Sequence, residues 1–149
     1  MVEDTSRKLV NAFYDALRSR DSDAIAKCLH DDVDWMIMGP VDILPYCGQR
    51  YGKKAVVQVF QDIAELVIVS DIVHEFLCVD AGQAAVFGRL IATRPGRREA
   101  IRYCVTHFMR FADDRIVWFR SLIDTYDAIE QMRASGYLAP PRAATLAPA

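Results

Sequence analysis

The chain has 149 residues, of which 52% are hydrophobic and 26% charged, and its formal net charge is −2 at pH 7. This length predicts a single domain with a core large enough to enclose a cavity. The weak negative charge argues against a nucleic-acid-binding surface, and no apolar run approaches the ~20 residues of a membrane span. No basic segment followed by an apolar stretch opens the chain, so the expected location is the cytoplasm.

The first half of the chain has mostly helical periodicity. In chain order it predicts a helix over 3–20, a short helix from Asp21 or Ser22 to about His30, a strand over 33–38, a loop over 39–51 and a helix over 53–66. The loop is long for a connection within a compact domain, and such loops are often functional.

The second half alternates like a series of strands. Turn residues separate four segments, which predict an antiparallel meander over 67–80, 84–93, 99–111 and 115–124. A short helix or turn over 126–135 follows, so residues 1–138 form the predicted domain and the Pro- and Ala-rich residues 139–149 a mobile tail. Apolar residues occupy both alternating sets of the strands, so we expect helices on one sheet face and a second copy of the chain on the other.

The cysteines do not predict a metal site. Four are present, and none forms a C-x-x-C pair. They are Cys28, Cys47, Cys78 and Cys104. We therefore expect neither a metal nor another cofactor.

Several short motifs, taken together and in order, carry a family resemblance. They are Phe13-Tyr14-x-Ala16-Leu17, Asp31-Asp32-Val33-Asp34-Trp35, Pro45-Tyr46-x-Gly48 with Gly52, Phe111-x-Asp113-Asp114-Arg115-Ile116, and Ile123-Asp124. Over roughly residues 5–130 the chain resembles the SnoaL-like group, named for a polyketide cyclase, within the nuclear transport factor 2-like superfamily. The resemblance implies an α+β cone, in which a curved, mostly antiparallel sheet and three helices close an apolar pocket. It also implies a homodimer through the outer sheet face.

Asp124 is the first candidate for catalysis. It has the strand parity of Arg120 and Leu122, and by the resemblance that side faces the pocket. A desolvated carboxylate there would have a raised pKa and could move protons near neutral pH. Alternatively, Asp124 caps the segment 126–135 or pairs with Arg120.

His107 is the second candidate. In ketosteroid isomerase-like relatives, the matching position holds an acid that donates a hydrogen bond to the substrate oxygen. An imidazole could donate in the same way or act as a general base, and it would titrate between pH 5 and 8. Alternatively, His107 is a buried neutral residue bonded to Tyr103 or to a backbone carbonyl.

The remaining candidates would bind substrate. Aromatic and thioether side chains would line a flat-walled cavity for a ring or alkyl compound; these are Phe13, Trp35, Tyr46, Tyr103 and Met109. Such residues could equally be ordinary core. Leu122 shares the predicted pocket side, Arg120 could bind an anion, and Arg89 would face either the pocket or the dimer surface. Tyr14 would sit at the pocket edge, while His30 and His74 are interpreted as structural or surface residues.

Family members include isomerases, cyclases, epoxide hydrolases, dehydratases and proteins without catalysis. Phe13 replaces the helix tyrosine of ketosteroid isomerases, and no carboxylate lies near Met38, which argues against steroid isomerisation. Ile91 replaces an aspartate of limonene-epoxide hydrolase-like members. We therefore expect a cofactor-free acid–base enzyme that isomerises, cyclises or hydrates a small hydrophobic carbonyl compound, with Asp124 moving the proton and His107 stabilising the oxyanion. The alternative is a non-catalytic binding or dimerisation module.

Overall fold

A curved six-stranded sheet with helices packed on its inner face forms the core of the protein. The computed structural model describes residues 2–139. The helices are α1 (Glu3–Ser19), α2 (Ser22–Lys27), α3 (Lys53–Leu66) and α4 (Thr125–Ala134). The strands are β1 (Leu29–Met38), β2 (Gly48–Tyr51), β3 (Ile68–Asp80), β4 (Gln83–Thr93), β5 (Ala100–Ala112) and β6 (Arg115–Ile123). This confirms the predicted α+β class; residues 140–149 of the predicted tail lie outside the described residues.

The strand order is β2-β1-β6-β5-β4-β3. Within residues 2–139, only β1 and β6 pair in parallel, and the other neighbouring strands are antiparallel. The predicted meander corresponds to β3–β6. Strand β2 was predicted as part of a loop, because its four residues are too few to show alternation. The second helix ends at Lys27, and β1 begins at Leu29, earlier than predicted.

The helices cover the inner face of the sheet. α1 packs against β3 and β4, α3 against β1 and β3, and α4 against β5. The burial follows from amphipathic patterns, since α1 buries Val10, Phe13 and Ala16 on one face. No helix within residues 2–139 is long and apolar enough to cross a membrane.

A β-bulge in β6 determines which of its side chains point inward. Arg110 pairs with Trp118, but the next residue, Phe111, pairs with Ile116, so Val117 is an extra residue in β6. Ile116 and Phe119 are therefore both buried, although they are three residues apart. From Phe119 onward, the odd-numbered residues face the helices.

A second bulge, at Glu75 in β3, turns His74 toward the inside. His74 pairs with Gly88 and Phe76 with Phe87, which leaves Glu75 as the extra residue. Gly88 makes this possible, because a Cβ atom there would overlap the carbonyl oxygen of Val73. β3 and β4 thus approach more closely than a side chain would allow.

Candidate functional site

A cavity of about 290 Å³ lies between the inner face of the sheet and the helices. Its wall is mostly apolar and draws on helices α1 and α3 and on strands β1, β3, β4, β5 and β6. The polar side chains in the wall are Arg20, Ser22, Tyr46, Gln61, Tyr103, His107 and Ser121. Among residues 2–139, no group of three His, Cys, Asp or Glu side chains is arranged to hold a metal ion.

Aromatic rings form one wall of the cavity. Trp35 on β1 stacks on Phe119 on β6, with ring centroids 3.8 Å apart and planes 6° from parallel. Phe13 of α1 and Phe60 of α3 contact Trp35 edge-on. Such stacked and edge-to-face pairs fix the ring positions and present a flat, rigid surface. A planar or ring-shaped ligand fits a wall of this kind.

His107 lies in the cavity wall and is almost completely buried. It points inward from β5 because residues 101, 103, 105, 107, 109 and 111 alternate with outward-facing neighbours. Its Nδ1 atom lies 2.6 Å from the hydroxyl oxygen of Tyr14 on α1. The partner is thus Tyr14, not Tyr103 or a backbone carbonyl. The prediction that Tyr14 sits at the pocket edge is wrong, because its buried side chain does not line the cavity.

The Tyr14–His107 contact determines the tautomer of the imidazole. Among the described residues, the Tyr14 hydroxyl has no hydrogen-bond partner besides His107. If Nδ1 carried the ring hydrogen, the hydroxyl hydrogen would be buried without an acceptor, which costs about 1–3 kcal/mol. The hydroxyl therefore donates to Nδ1, and the ring hydrogen is on Nε2.

The protein interior keeps this imidazole neutral. Burial lowers the pKa of His107 to about 3, and the nearby His74 adds a smaller effect in the same direction. The expectation that His107 titrates between pH 5 and 8 is therefore wrong. Its ring is neutral throughout that range.

The other polar aromatic groups of the wall are also uncharged at neutral pH. Burial raises the pKa of Tyr46 and of Tyr103. The two hydroxyls influence each other's pKa, but Tyr46 Oη forms no hydrogen bond with any described residue, and neither does Trp35 Nε1. Phe13, Trp35, Tyr46 and Tyr103 all line the cavity, where the sequence analysis expected them.

Asp124 lies outside the cavity, so the prediction that it faces the pocket is wrong. Its exposed side chain accepts a hydrogen bond from the backbone N–H of Asp127, which makes it the N-cap of α4. The reason is strand parity: the cavity takes Phe119, Ser121 and Ile123 from β6. Asp124 has the parity of the outward-facing residues. The alternative interpretation, in which Asp124 caps the last helix, matches the observed hydrogen bond.

Arg120 and Leu122 also point away from the cavity. The Arg120 guanidinium binds both carboxylate oxygens of Asp34 at 3.0 Å, and this pairing lowers the pKa of Asp34. Arg120 also stacks on Trp118. Its partner is thus Asp34 rather than Asp124. Leu122 is exposed on the outer sheet face.

Arg89 and Met109 do not line the cavity either. Arg89 faces outward on β4 and pairs with Glu75 at 3.1 Å. Met109 is buried on the inner face of β5, one alternation beyond His107, and packs in the core. Both were predicted to bind substrate from their positions within apolar strands, and strand pattern alone does not locate a cavity along a strand.

Two cavity residues, Arg20 and Leu17, and the contact of Tyr14 with His107 were not predicted. Arg20 and Leu17 line the cavity together with Phe13, and the spacing 13, 17, 20 is that of one helix stripe. That signal was readable in the sequence. The role of Tyr14 was not, because it depends on a contact across 93 positions of the chain.

The chain belongs to the SnoaL-like domain family, whose model matches residues 10–119. A protein from Rhodopseudomonas palustris, provisionally assigned as an isomerase, is 30% identical and superposes with a TM-score of 0.79, covering 90% of this chain and 99% of its own. No curated protein matches the chain in sequence.

More distant structures share the nuclear transport factor 2-like fold. An M. tuberculosis epoxide hydrolase of the LEH-like type is 16% identical, with a TM-score of 0.72 over 89% of this chain and 92% of its own. A Silicibacter protein, provisionally assigned as a polyketide cyclase, is 18% identical, with a TM-score of 0.72 over 88% and 97%. At these identities the similarity establishes the fold and no specific activity.

Proposed function

We propose that the protein binds a small hydrophobic carbonyl compound and polarises the carbonyl oxygen with the Nε2–H group of His107, in cofactor-free acid–base chemistry such as isomerisation, cyclisation or hydration. One observation carries this proposal: a neutral imidazole, anchored through Nδ1 to Tyr14, lies in the wall of an otherwise mostly apolar cavity. The cavity volume of about 290 Å³ suits a compact ligand.

A neutral imidazole is suited to stabilising an oxyanion. With a pKa of about 3, His107 is a poor general base at neutral pH, but its N–H group remains a donor. In a mostly apolar cavity, a donor fixed in position stabilises negative charge that develops on oxygen, because the donor needs little reorganisation during the reaction. The Tyr14 hydroxyl supplies that positioning by holding the ring from its other nitrogen.

A second candidate is a binding module without catalysis. Among the described residues, the cavity wall contains no carboxylate, and Asp124 is not available inside it to move a proton. This observation favours binding over turnover. In both proposed functions, His107 contacts the ligand oxygen. They differ in whether a chemical step follows binding.

The shared contact is tested by comparing 2-tetralone with tetralin, which lacks the carbonyl. We expect calorimetry to give tighter binding of the ketone by the wild type, by roughly two- to tenfold for one hydrogen bond. In His107→Phe that preference should disappear while tetralin still binds. Thr106→Ala, on the opposite face of β5, is the control that should keep it. Equal affinities for both compounds in the wild type would refute the proposal.

Catalysis is tested with the same ketone in D2O. Polarisation of the carbonyl acidifies the neighbouring C–H groups. Solvent D2O or deuteroxide takes the proton and returns a deuteron to the enolate carbon, so the protein should accelerate exchange for deuterium, observed by proton NMR. His107→Phe should abolish the acceleration. Binding without accelerated exchange would support the binding module instead.

We also propose that the protein is a homodimer joined through the outer sheet face, as the family resemblance implies. The face carries a row of cross-strand neighbours, Phe76, Phe87, Thr106 and Leu122, in which the three apolar side chains are exposed. Exposed apolar patches of this kind favour association.

A further inference from the structure

The mouth of the cavity carries an unpaired cation. Phe13, Leu17 and Arg20 follow one stripe of α1, and their side chains pass from buried through half-buried to exposed in that order. The cavity therefore opens toward the C-terminal end of α1. Gln61 and Ala64 of α3 are the exposed wall residues opposite.

Arg20 is the one charged side chain in the cavity wall among the described residues. It forms no ion pair within residues 2–139, whereas Arg7 and Arg18 on the same helix both do. Because the described wall contains no acid, nothing in it offsets this positive charge. An anionic group at the mouth would therefore be attracted to Arg20.

Arg20 also ends α1 in a backbone conformation that favours glycine. Arg20 is the C-cap of α1 and has φ 56°, in the left-handed region. Glycine or asparagine is the usual residue in this conformation, since other side chains are strained there. This turn ends α1, and in it the Arg20 backbone N–H donates to the Leu17 carbonyl oxygen.

We propose that Arg20 selects ligands that carry an anionic group, such as a carboxylate, at the end remote from the carbonyl. This inference rests on the proposed function, because the carbonyl is placed at His107. The ligand is thus an amphipathic keto acid whose apolar middle lies along the mostly apolar wall between His107 and Arg20.

The test compares 4-(4-acetylphenyl)butanoate with its methyl ester by calorimetry. The acid should bind the wild type about two- to fivefold more tightly, as for an exposed ion pair, and 0.5 M salt should reduce the difference. Arg20→Gln should make the two affinities equal and leave the ester affinity unchanged. Arg7→Gln removes the same charge from α1 away from the cavity and should behave like the wild type.

Arg20→Gly separates the ligand role from a structural one. Glycine relieves the strained conformation, so this variant should keep or raise the melting temperature while losing the preference for the acid. Equal binding of acid and ester by the wild type, or a preference that survives Arg20→Gln, would overturn the inference and leave the His107 proposal intact. Failure of both compounds to bind the wild type would refute the proposed function, and this inference with it.

Discussion

Burial of a histidine in a neutral state makes folding sensitive to pH. An unfolded chain protonates its histidines near pH 6.5, whereas His107 in the folded protein stays neutral down to about pH 3. Between these values the unfolded state binds a proton that the folded state does not. The contribution of His107 to stability is therefore complete above pH 6.5 and decreases as the pH falls toward 3.

We expect the free energy of unfolding to drop by about 1 kcal/mol between pH 6.5 and 5.5 on account of His107. Urea unfolding at the two pH values measures this. His107→Gln should lose that part of the decrease; a remainder is expected because burial also lowers the pKa of His74. Tyr14→Phe keeps the imidazole buried, so it should be less stable at both pH values but retain the decrease. An unchanged decrease in His107→Gln would contradict the neutral state.

The residue pattern could predict the orientation of His107 but not its environment. Alternation along 103, 105 and 107 correctly turned His107 inward, because a strand has only two faces. The lowered pKa and the Tyr14 partner could not be predicted, since both arise when α1 packs across the sheet. Desolvation is a property of the assembled cavity and leaves no trace in the local sequence.

At the scale of elements, one bulge determines which side chains at the end of β6 face the cavity. Strict alternation in β6 would place Ile116, Trp118 and Asp124 on one face, but the extra residue Val117 separates Ile116 from the others. A bulge of this kind has no glycine or proline signal here, so the sequence did not reveal it. The predicted fold class was still correct, because it depends on the order of the elements. The predicted site was wrong at Asp124, because it depends on which face each side chain of β6 occupies.

The capping role of Asp124 gives a direct prediction. Asp124→Ala should lower the free energy of unfolding by about 1 kcal/mol, because the N–H group of Asp127 loses its acceptor. Asp124→Asn retains a capping oxygen and should cost much less. Both variants should bind 2-tetralone with wild-type affinity, measured by calorimetry. Lost ketone binding or lost deuterium exchange in a stable Asp124→Asn protein would restore Asp124 to the site.

The close approach of β3 and β4 gives another prediction, on the stability of a glycine variant. Gly88→Ala should destabilise the protein by about 1–3 kcal/mol, because the new methyl group overlaps the Val73 carbonyl and β3 must move. The shift would also displace His74, which contacts the Tyr14 ring at 4.2 Å. Chemical denaturation measures the loss. Gly82→Asn is the control, since the turn there has open space and asparagine tolerates positive φ; equal stability of the two variants would contradict the argument.

At the scale of the molecule, the two faces of the sheet differ in what they carry. The inner face encloses the cavity, whereas the outer face combines ion pairs such as Arg120–Asp34 with exposed aromatic rings. Phe76 is 60% exposed and lies beside Phe87 in the ladder. Burying this row against a second copy would remove apolar surface from water without disturbing the cavity on the other side.

The homodimer proposal therefore predicts that association and ligand binding can be separated. Light scattering coupled to size exclusion should give twice the chain mass of 16.8 kDa for the wild type. Phe87→Glu, at the centre of the row, should give the monomer mass, because a charge would be buried against apolar side chains. Its melting temperature should no longer depend on protein concentration, since linkage to association is lost. Val41→Glu is the control, because Val41 is an exposed residue in the loop after β1, and this variant should stay dimeric. A monomeric wild type over the measured concentration range would contradict the proposal.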